Sequence, residues 1–177
     1  MSVIRQIAQL GAPVLRECAL AVSHPQAADV AVLIDDMHAT IFDANGAGLA
    51  APQVYESLRI FLLTPRRAPR FPGAPEVKER RVLINPEILW RSPEVERGWE
   101  GCLSIPGMRG LVPRHLKIGA RYINQEQKIV EEEFCNFDAR VFQHEYDHLD
   151  GVLYLDRLES NRDLITEKEY VKLITPA

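Results

Sequence analysis

The sequence predicts an α+β domain in which strands occupy the middle of the chain and one helix lies on each side of them. The first observation is a helical apolar period in the first quarter of the chain, which returns after residue 138. The second is a series of short apolar segments between those two helices, without the alternation of strand and helix that a doubly wound parallel sheet requires. With 177 residues, 46% of them hydrophobic, the chain can bury one core, so we predict a single domain over residues 1–177.

The first predicted helix covers residues 27–44. Asn45 and Gly46 follow it and predict its end. Its apolar residues recur at spacings of three and four, which places them on one face: Val30, Leu33, Ile34, Met37 and Ile41.

Strands are predicted next, at residues 58–63 and 81–84, where branched apolar residues stand between prolines and charges. The arginine- and proline-rich stretch 66–81 has no period and predicts a solvated loop. Alternation over residues 112–123 and 127–134 predicts a pair of strands joined by a polar turn at 124–126.

The second predicted helix begins near Asp138, which we expect to cap it, and ends at Gly151. Its candidate core positions share one face: Ala139, Phe142, Tyr146 and Leu149. Beyond Asp156 the chain is polar and shows little periodicity, so it predicts no element.

Charge and composition exclude several function classes. A net charge of -4 and a pI near 5.8 argue against a dedicated nucleic-acid or anionic-membrane binder. The opening residues do not resemble a secretory signal, and no apolar run reaches the roughly 18 residues of a membrane span, so we expect a soluble, unexported chain. Three cysteines without a CxxC pair predict reduced thiols.

The second helix carries an HExxH pattern, formed by His144, Glu145 and His148. Four residues turn a helix by about 400°, so the two imidazoles project about 40° apart and can reach one cation. Glu145 is offset by about 100°, beside a metal-bound water rather than in the ligand set. Two exposed histidines on a helix would also fit this pattern, and a third ligand would separate the two interpretations.

Cys102 is the best candidate for that third ligand. It follows Gly101, which permits a close approach of the backbone, and it lies outside any apolar period. A thiolate binds Zn(II) or Fe(II) readily. A buried structural thiol and a nucleophilic cysteine are the alternatives, although the latter leaves Glu145 unexplained. The remaining histidines, which are His24, His38 and His115, fit surface or satisfied core positions better.

A glycine- and alanine-rich segment, GAGLAAPQ at Gly46 to Gln53, is too apolar for an exposed turn and suits close backbone approach. It lacks the spacings of a phosphate loop or a dinucleotide-binding loop. Gln53 offers an amide N–H, a group that can stabilise an oxyanion.

Three segments together resemble the motifs of the peptide deformylase family: GAGLAAPQ, EGCLS at Glu100 to Ser104, and QHEYDH at Gln143 to His148. Supporting similarity runs from about residue 11 to 156. The resemblance implies sheets, mixed or antiparallel, around a central helix that carries HExxH. It also implies one divalent metal per chain, Fe(II) in the cell and Zn(II) or Ni(II) after purification.

Carried onto this sequence, the resemblance implies a role for each matching residue. Cys102, His144 and His148 bind the metal, Glu145 is the general base and acid, and Gln53 with the backbone N–H of Leu103 stabilises the oxyanion. The implied substrate-binding residues are Gly46, Ala47, Gly48, Glu100, Arg109, Phe137 and Val141.

The implied function is hydrolysis of the formyl group from N-terminal formylmethionine of nascent polypeptides, with release of formate. The implied setting is a cytoplasmic monomer, acting near the ribosome exit region and without DNA or membrane partners. Tyr55 and Asn136 stand where glycines are common in the family. Ala47 is smaller than the usual branched residue, which predicts either a wider methionine pocket or a changed preference among N-terminal side chains. The alternatives are a catalytically altered deformylase paralogue and another HExxH metallohydrolase, although the latter normally takes a downstream histidine or glutamate as its third ligand.

Overall fold

The structure, a computed structural model, describes residues 2–64 and 80–175. Its helices are α1 (Ala28–Asp43), α2 (Asn136–Leu149) and α3 (Glu167–Ile174). Its strands are β1 (Gly48–Ala50), β2 (Ile60–Leu63), β3 (Arg81–Arg91), β4 (Val95–Cys102), β5 (Ile105–His115), β6 (Lys117–Ile123), β7 (Ile129–Cys135) and β8 (Leu164–Thr166). Short 3-10 turns occur at Pro13–Arg16, Ala51–Val54, Tyr154–Arg157 and Asn161–Asp163.

The strands form two antiparallel sheets. A five-stranded sheet has the order β1-β2-β3-β6-β7, and a three-stranded sheet has the order β4-β5-β8. Helix α2 contacts β1, β2 and β7 of the larger sheet and β5 of the smaller one. It therefore lies where the two sheets meet, and the predicted α+β class with a central HExxH helix is confirmed.

The larger sheet is apolar on both faces at β2, where residues of α1 pack on one side and residues of α2 on the other. In β2, Ile60 and Leu62 pack with α1, whereas Phe61 and Leu63 pack with α2. This two-sided burial explains why β2 reads as a continuous apolar run instead of an alternating one. Phe61 meets Phe142 of α2 edge to face, with ring centroids 5.0 Å apart.

Helix α1 agrees with its prediction, and all five of its predicted core residues are buried. Helix α2 begins two residues before Asp138, at Asn136, and Cys135 precedes it without a side-chain cap. The prediction of Asp138 as the cap is therefore wrong. Asp138 lies in the first turn, where its charge favours the positive end of the helix dipole.

The prediction of one strand over 112–123 is also wrong. The chain bends at Leu116, and the two halves belong to different sheets: β5 pairs with β4, and β6 pairs with β7. The polar turn after β6 is as predicted. An alternating pattern can continue through such a bend, because it reports which residues are buried and not which sheet buries them.

The tail, which carried no sequence signal, forms β8 and α3. Strand β8 pairs with β5, and Tyr170 of α3 is buried against Trp99 of β4. Of the predicted loop 66–81, residues 66–79 lie outside the described residues, and Arg81 begins β3. Among the described helices, none is long and apolar enough to cross a membrane.

Candidate metal centre and cleft

Three metal-binding side chains converge between the central helix and the smaller sheet. His144 and His148 lie one turn apart on α2, and Cys102 is the last residue of β4. The Sγ atom of Cys102 is 3.3 Å from Nε2 of His148, and one ligand atom from each of the three residues lies within 4.8 Å of the others. The structure thus brings the three predicted ligands together.

This arrangement fits one divalent cation. Tetrahedral bonds of about 2.0–2.3 Å from nitrogen and sulfur place neighbouring ligand atoms about 3.5 Å apart, which is close to the observed sulfur–nitrogen separation. Nε2 is the nitrogen of His148 that faces Cys102, whereas Nδ1, on the other side of the ring, is buried without a hydrogen-bond partner among the described residues. Three protein ligands leave a further coordination position, as in catalytic sites.

A buried network of charges orients His144. Its Nδ1 lies 2.9 Å from a carboxylate oxygen of Glu100, which leaves Nε2 available as the ligand atom. Arg114 holds Glu100 with two hydrogen bonds of 2.9 and 3.0 Å, and it donates a third, of 2.6 Å, to Asp147 of α2. Arg140 also contacts Glu100, at 3.0 Å. The ion pairs therefore fix the helix that carries the histidines to the strand that ends at the cysteine.

The pKa values around the centre reflect this burial and charge. Burial opposes the ionisation of Glu100, but the charges and hydrogen bonds of Arg114 and His144 together outweigh it and hold the pKa of that carboxyl well below its usual range. Burial and the nearby His144 lower the pKa of His148, which favours the neutral imidazole that binds a metal. Burial also disfavours the charged form of His144, yet hydrogen bonds to Cys102 and Glu100 raise its pKa. The carboxylate of Glu100 thus favours a positive charge at this imidazole.

Glu145 forms part of the cavity wall next to these ligands. It is buried, its Oε2 has no hydrogen-bond partner among the described residues, and burial raises its pKa to about 7. Gly48 of β1 makes room for it, since a Cβ there would lie 2.3 Å from Oε1 of Glu145. Gly48 of the GAGLAAPQ segment is therefore required because it packs against Glu145 of the QHEYDH segment.

Gln53, in the 3-10 turn after β1, directs its amide toward the same centre. Its Oε1 accepts a hydrogen bond from the backbone N–H of Ala50, at 2.8 Å, which sets the orientation of the amide. Its Nε2 then lies 3.1 Å from Oγ of Ser104 and 3.5 Å from Sγ of Cys102. Ser104 is a partner that the sequence did not indicate.

A cavity of about 330 Å³ opens beside the centre. All of the predicted substrate-binding residues line it, together with Gln53, Leu103, Cys102, His144 and Glu145. His148 lies behind this wall, 1% exposed. His24, His38 and His115, which the sequence did not favour as ligands, do not line this cavity. Nδ1 of His115 lies 2.7 Å from the backbone oxygen of Ser92.

Several lining residues were missed by the sequence analysis: Trp99, Pro106, Met108, Arg140 and Glu167. The first three come from the hairpin of β4 and β5, whose existence was not predicted. Glu167 comes from the tail. Glu167 reaches the cleft because β8, directly before it, pairs with β5, and nothing in the sequence indicated that pairing.

The thiol, one imidazole and the buried carboxylate line one cavity, and the second imidazole lies directly behind them; this set defines a metal-dependent hydrolase of the HExxH class. Comparison with known proteins gives the family. Residues 4–163 match the family model for polypeptide deformylase. The chain belongs to the polypeptide deformylase family.

Relatives support this assignment over nearly the whole chain. Peptide deformylase 2 of Nostoc sp. is 50% identical over 169 residues, covering 96% of this chain and 94% of that protein. Peptide deformylase 1 of Bordetella pertussis is 43% identical over 173 residues, covering 98% and 96%.

Solved structures agree. A class I type b peptide deformylase from Acinetobacter baumannii, bound to Met-Ala-Ser, has a TM-score of 0.86 and 42% identity, covering 89% of this chain and 100% of that one. The peptide deformylase from Thermotoga maritima has a TM-score of 0.79 and 39% identity, covering 89% and 99%. The predicted family and deformylase function are confirmed, and a single metal at the Cys102 centre is supported.

Proposed function

We propose that the chain removes the formyl group from N-terminal formylmethionine of nascent peptides and that the residues around Cys102 carry out this reaction. The observation that carries the proposal is Glu145: a buried carboxyl with a pKa of about 7, in the wall of a cavity beside three metal-binding side chains. A group whose pKa lies near the working pH can both accept and donate a proton.

Cys102, His144 and His148 would hold the metal, which we propose to be Fe(II) in the cell, with Zn(II) or Ni(II) after purification. When bound, a divalent cation polarises the formyl oxygen and makes water more acidic. The donor set of one sulfur and two nitrogens supports a metal of this class, since thiolate and imidazole suit such ions better than calcium or magnesium.

Glu145 takes the proton of an attacking water through its carboxylate, and the water oxygen forms a bond to the formyl carbon. Glu145 then passes the proton to the departing amine, the carbon–nitrogen bond breaks, and formate and a free N-terminus result. During the reaction the formyl oxygen gains negative charge. Nε2 of Gln53, which lies beside Cys102, and the backbone N–H of Leu103 are the donors that we assign to that oxygen.

The substrate class is supported by the shape of the cleft and by one relative. Phe137, Val141 and Leu103 give the cavity an apolar part next to His144, where a methionine side chain would fit, and the small Ala47 gives it additional width. The relative from Acinetobacter baumannii was crystallised with a peptide that begins with methionine. We place the reaction in the cytoplasm, on a single 1–177 domain that meets nascent chains near the ribosome exit region.

The test compares formate release from formyl-Met-Ala-Ser and from its acetylated analogue, with protein loaded anaerobically with Fe(II). We expect release from the formyl peptide alone. Glu145→Gln should reduce kcat by about 10²–10⁴-fold, the usual contribution of a general acid–base group, while metal content stays the same. Glu169→Gln, on the surface of α3, is the control and should behave like the parent. Normal turnover by the Glu145→Gln protein would overturn the proposed role.

A further inference from the structure

A buried arginine and a carboxylate from the tail form one rim of the cavity. Arg109 of β5 has a side chain only 6% exposed, while that of Glu167, at the start of α3, is 36% exposed. Nε of Arg109 donates to Oε2 of Glu167 at 2.5 Å, and Nη2 donates to Oε1 at 2.9 Å. This bidentate geometry is the same as that with which arginine recognises a carboxylate ligand.

The surrounding residues hold the guanidinium in place. The guanidinium carbon lies 4.9 Å from the ring centroid of Tyr170, which follows Glu167 by about one turn of α3. The guanidinium also covers Gly101, where a Cβ would lie 2.8 Å from the guanidinium carbon. Arg109 is thus fixed directly beside the backbone that leads to Cys102, and it is paired with an internal anion.

We propose that Glu167 is a specificity-determining residue of the cleft, which disfavours peptides that bring a carboxylate to the rim. Its oxygens occupy two N–H donors that a peptide carboxylate would use, and its charge repels such a group. In a longer peptide substrate, the uncharged backbone at the rim is not repelled by the charge of Glu167 and does not need the N–H donors of Arg109. This inference rests on the proposed function, in which peptides beginning with formylmethionine enter this cavity.

The segment that supplies Glu167 lies past residue 163, where the match to the family model ends. Strand β8 holds it in place, since Arg109 and Ile165 are register partners in the β5–β8 pair. The core of the chain therefore provides the metal centre, whereas the tail provides the charge that sets the discrimination.

Calorimetry on the metal-loaded protein tests this inference without requiring turnover. The ligands are the product peptides Met-Ala, Met-Ala-Ser and Met-Ala-Ser-Ala, each as the free acid and as the C-terminal amide. We expect the parent protein to bind the amide more tightly at the length at which the carboxylate reaches Arg109. Glu167→Gln should improve the acid relative to the amide by about fivefold, a modest value because the pair is partly exposed and screened.

Glu169→Gln provides the matched control, since it removes one carboxylate from the same helix at an exposed pair with Lys172. It should leave the ratio of acid to amide unchanged. With formyl peptides as substrates, Glu167→Gln should lower the KM of the free acid relative to the KM of the amide and leave kcat unaltered. A purely structural role of Glu167 would weaken acid and amide equally.

An unchanged ratio at every length, an equal loss for acid and amide, or no peptide binding at all would each overturn the inference. Failure of the proposed function has a different signature. In that case no formate is released from any formyl peptide, while the binding ratios still report on Glu167.

Discussion

The contact between Gly48 and Glu145 gives the sharpest test of how the cleft is built. In Gly48→Ala, the new Cβ would lie 2.3, 2.6 and 2.7 Å from Oε1, Cγ and Cδ of Glu145. Ordinary van der Waals contact begins near 3.4 Å, so the carboxylate must move by about 1 Å. Glu145 is buried in the cavity wall, so this movement takes its carboxylate out of its position beside the metal-binding side chains.

Two magnitudes follow. Overpacking of this kind costs about 1–3 kcal/mol of unfolding free energy. A displacement of about 1 Å in a catalytic group reduces kcat/KM by about 10²-fold. The backbone of Gly48 is not in the left-handed region, so alanine is otherwise compatible there and by itself would stabilise the chain by about 0.4–1 kcal/mol through the unfolded state.

The assay is a double-mutant cycle in urea unfolding, with Gly48→Ala, Glu145→Ala and the double variant. We expect Gly48→Ala to destabilise the parent protein but to be neutral or slightly stabilising when Glu145 is already alanine. Equal destabilisation in both backgrounds would refute the packing argument, because the clash would then involve some other group. Formate release by Gly48→Ala measures the catalytic consequence.

The other predictions concern the metal, the charge network and acid stability. Cys102→Ser should lower the metal content, measured by atomic absorption after dialysis, while the helical circular dichroism is retained. Glu100→Gln should cost about 3–5 kcal/mol in urea unfolding because it removes the bidentate partner of the buried Arg114, and a cost below about 1 kcal/mol would contradict that role. The backbone N–H of Val3 and the charge of Arg5 lower the pKa of Asp36, so its contribution to stability is present at neutral pH and is lost as the pH falls through the lowered pKa. Asp36→Asn should therefore lose less stability than the parent between pH 7 and pH 3, and parallel losses in urea midpoints would show that Asp36 is not responsible.

The sequence alone predicted the candidate residues of the site, since these residues stand in local patterns. The spacing of His144 and His148 is converted directly into geometry by a helix, whatever the rest of the fold does. The five apolar positions of α1 could be predicted for the same reason. The motif containing Cys102 was informative because its residue types are unusual together, and the resemblance to one family linked the three motifs.

Only the tertiary structure decided which residues meet across long separations. The bend at Leu116 divides one alternating pattern between two sheets, and strand pairing leaves no mark on a period of two. The need for Gly48 was visible only once β1 lay against Glu145. The pairing of Arg109 with Glu167 depends on a polar tail held by strand β8, and a polar tail has no periodicity from which its position could be predicted. The helical spacing thus indicated the two histidines of the candidate metal centre, whereas long-range packing brought Cys102 to them and formed the rim of the cleft.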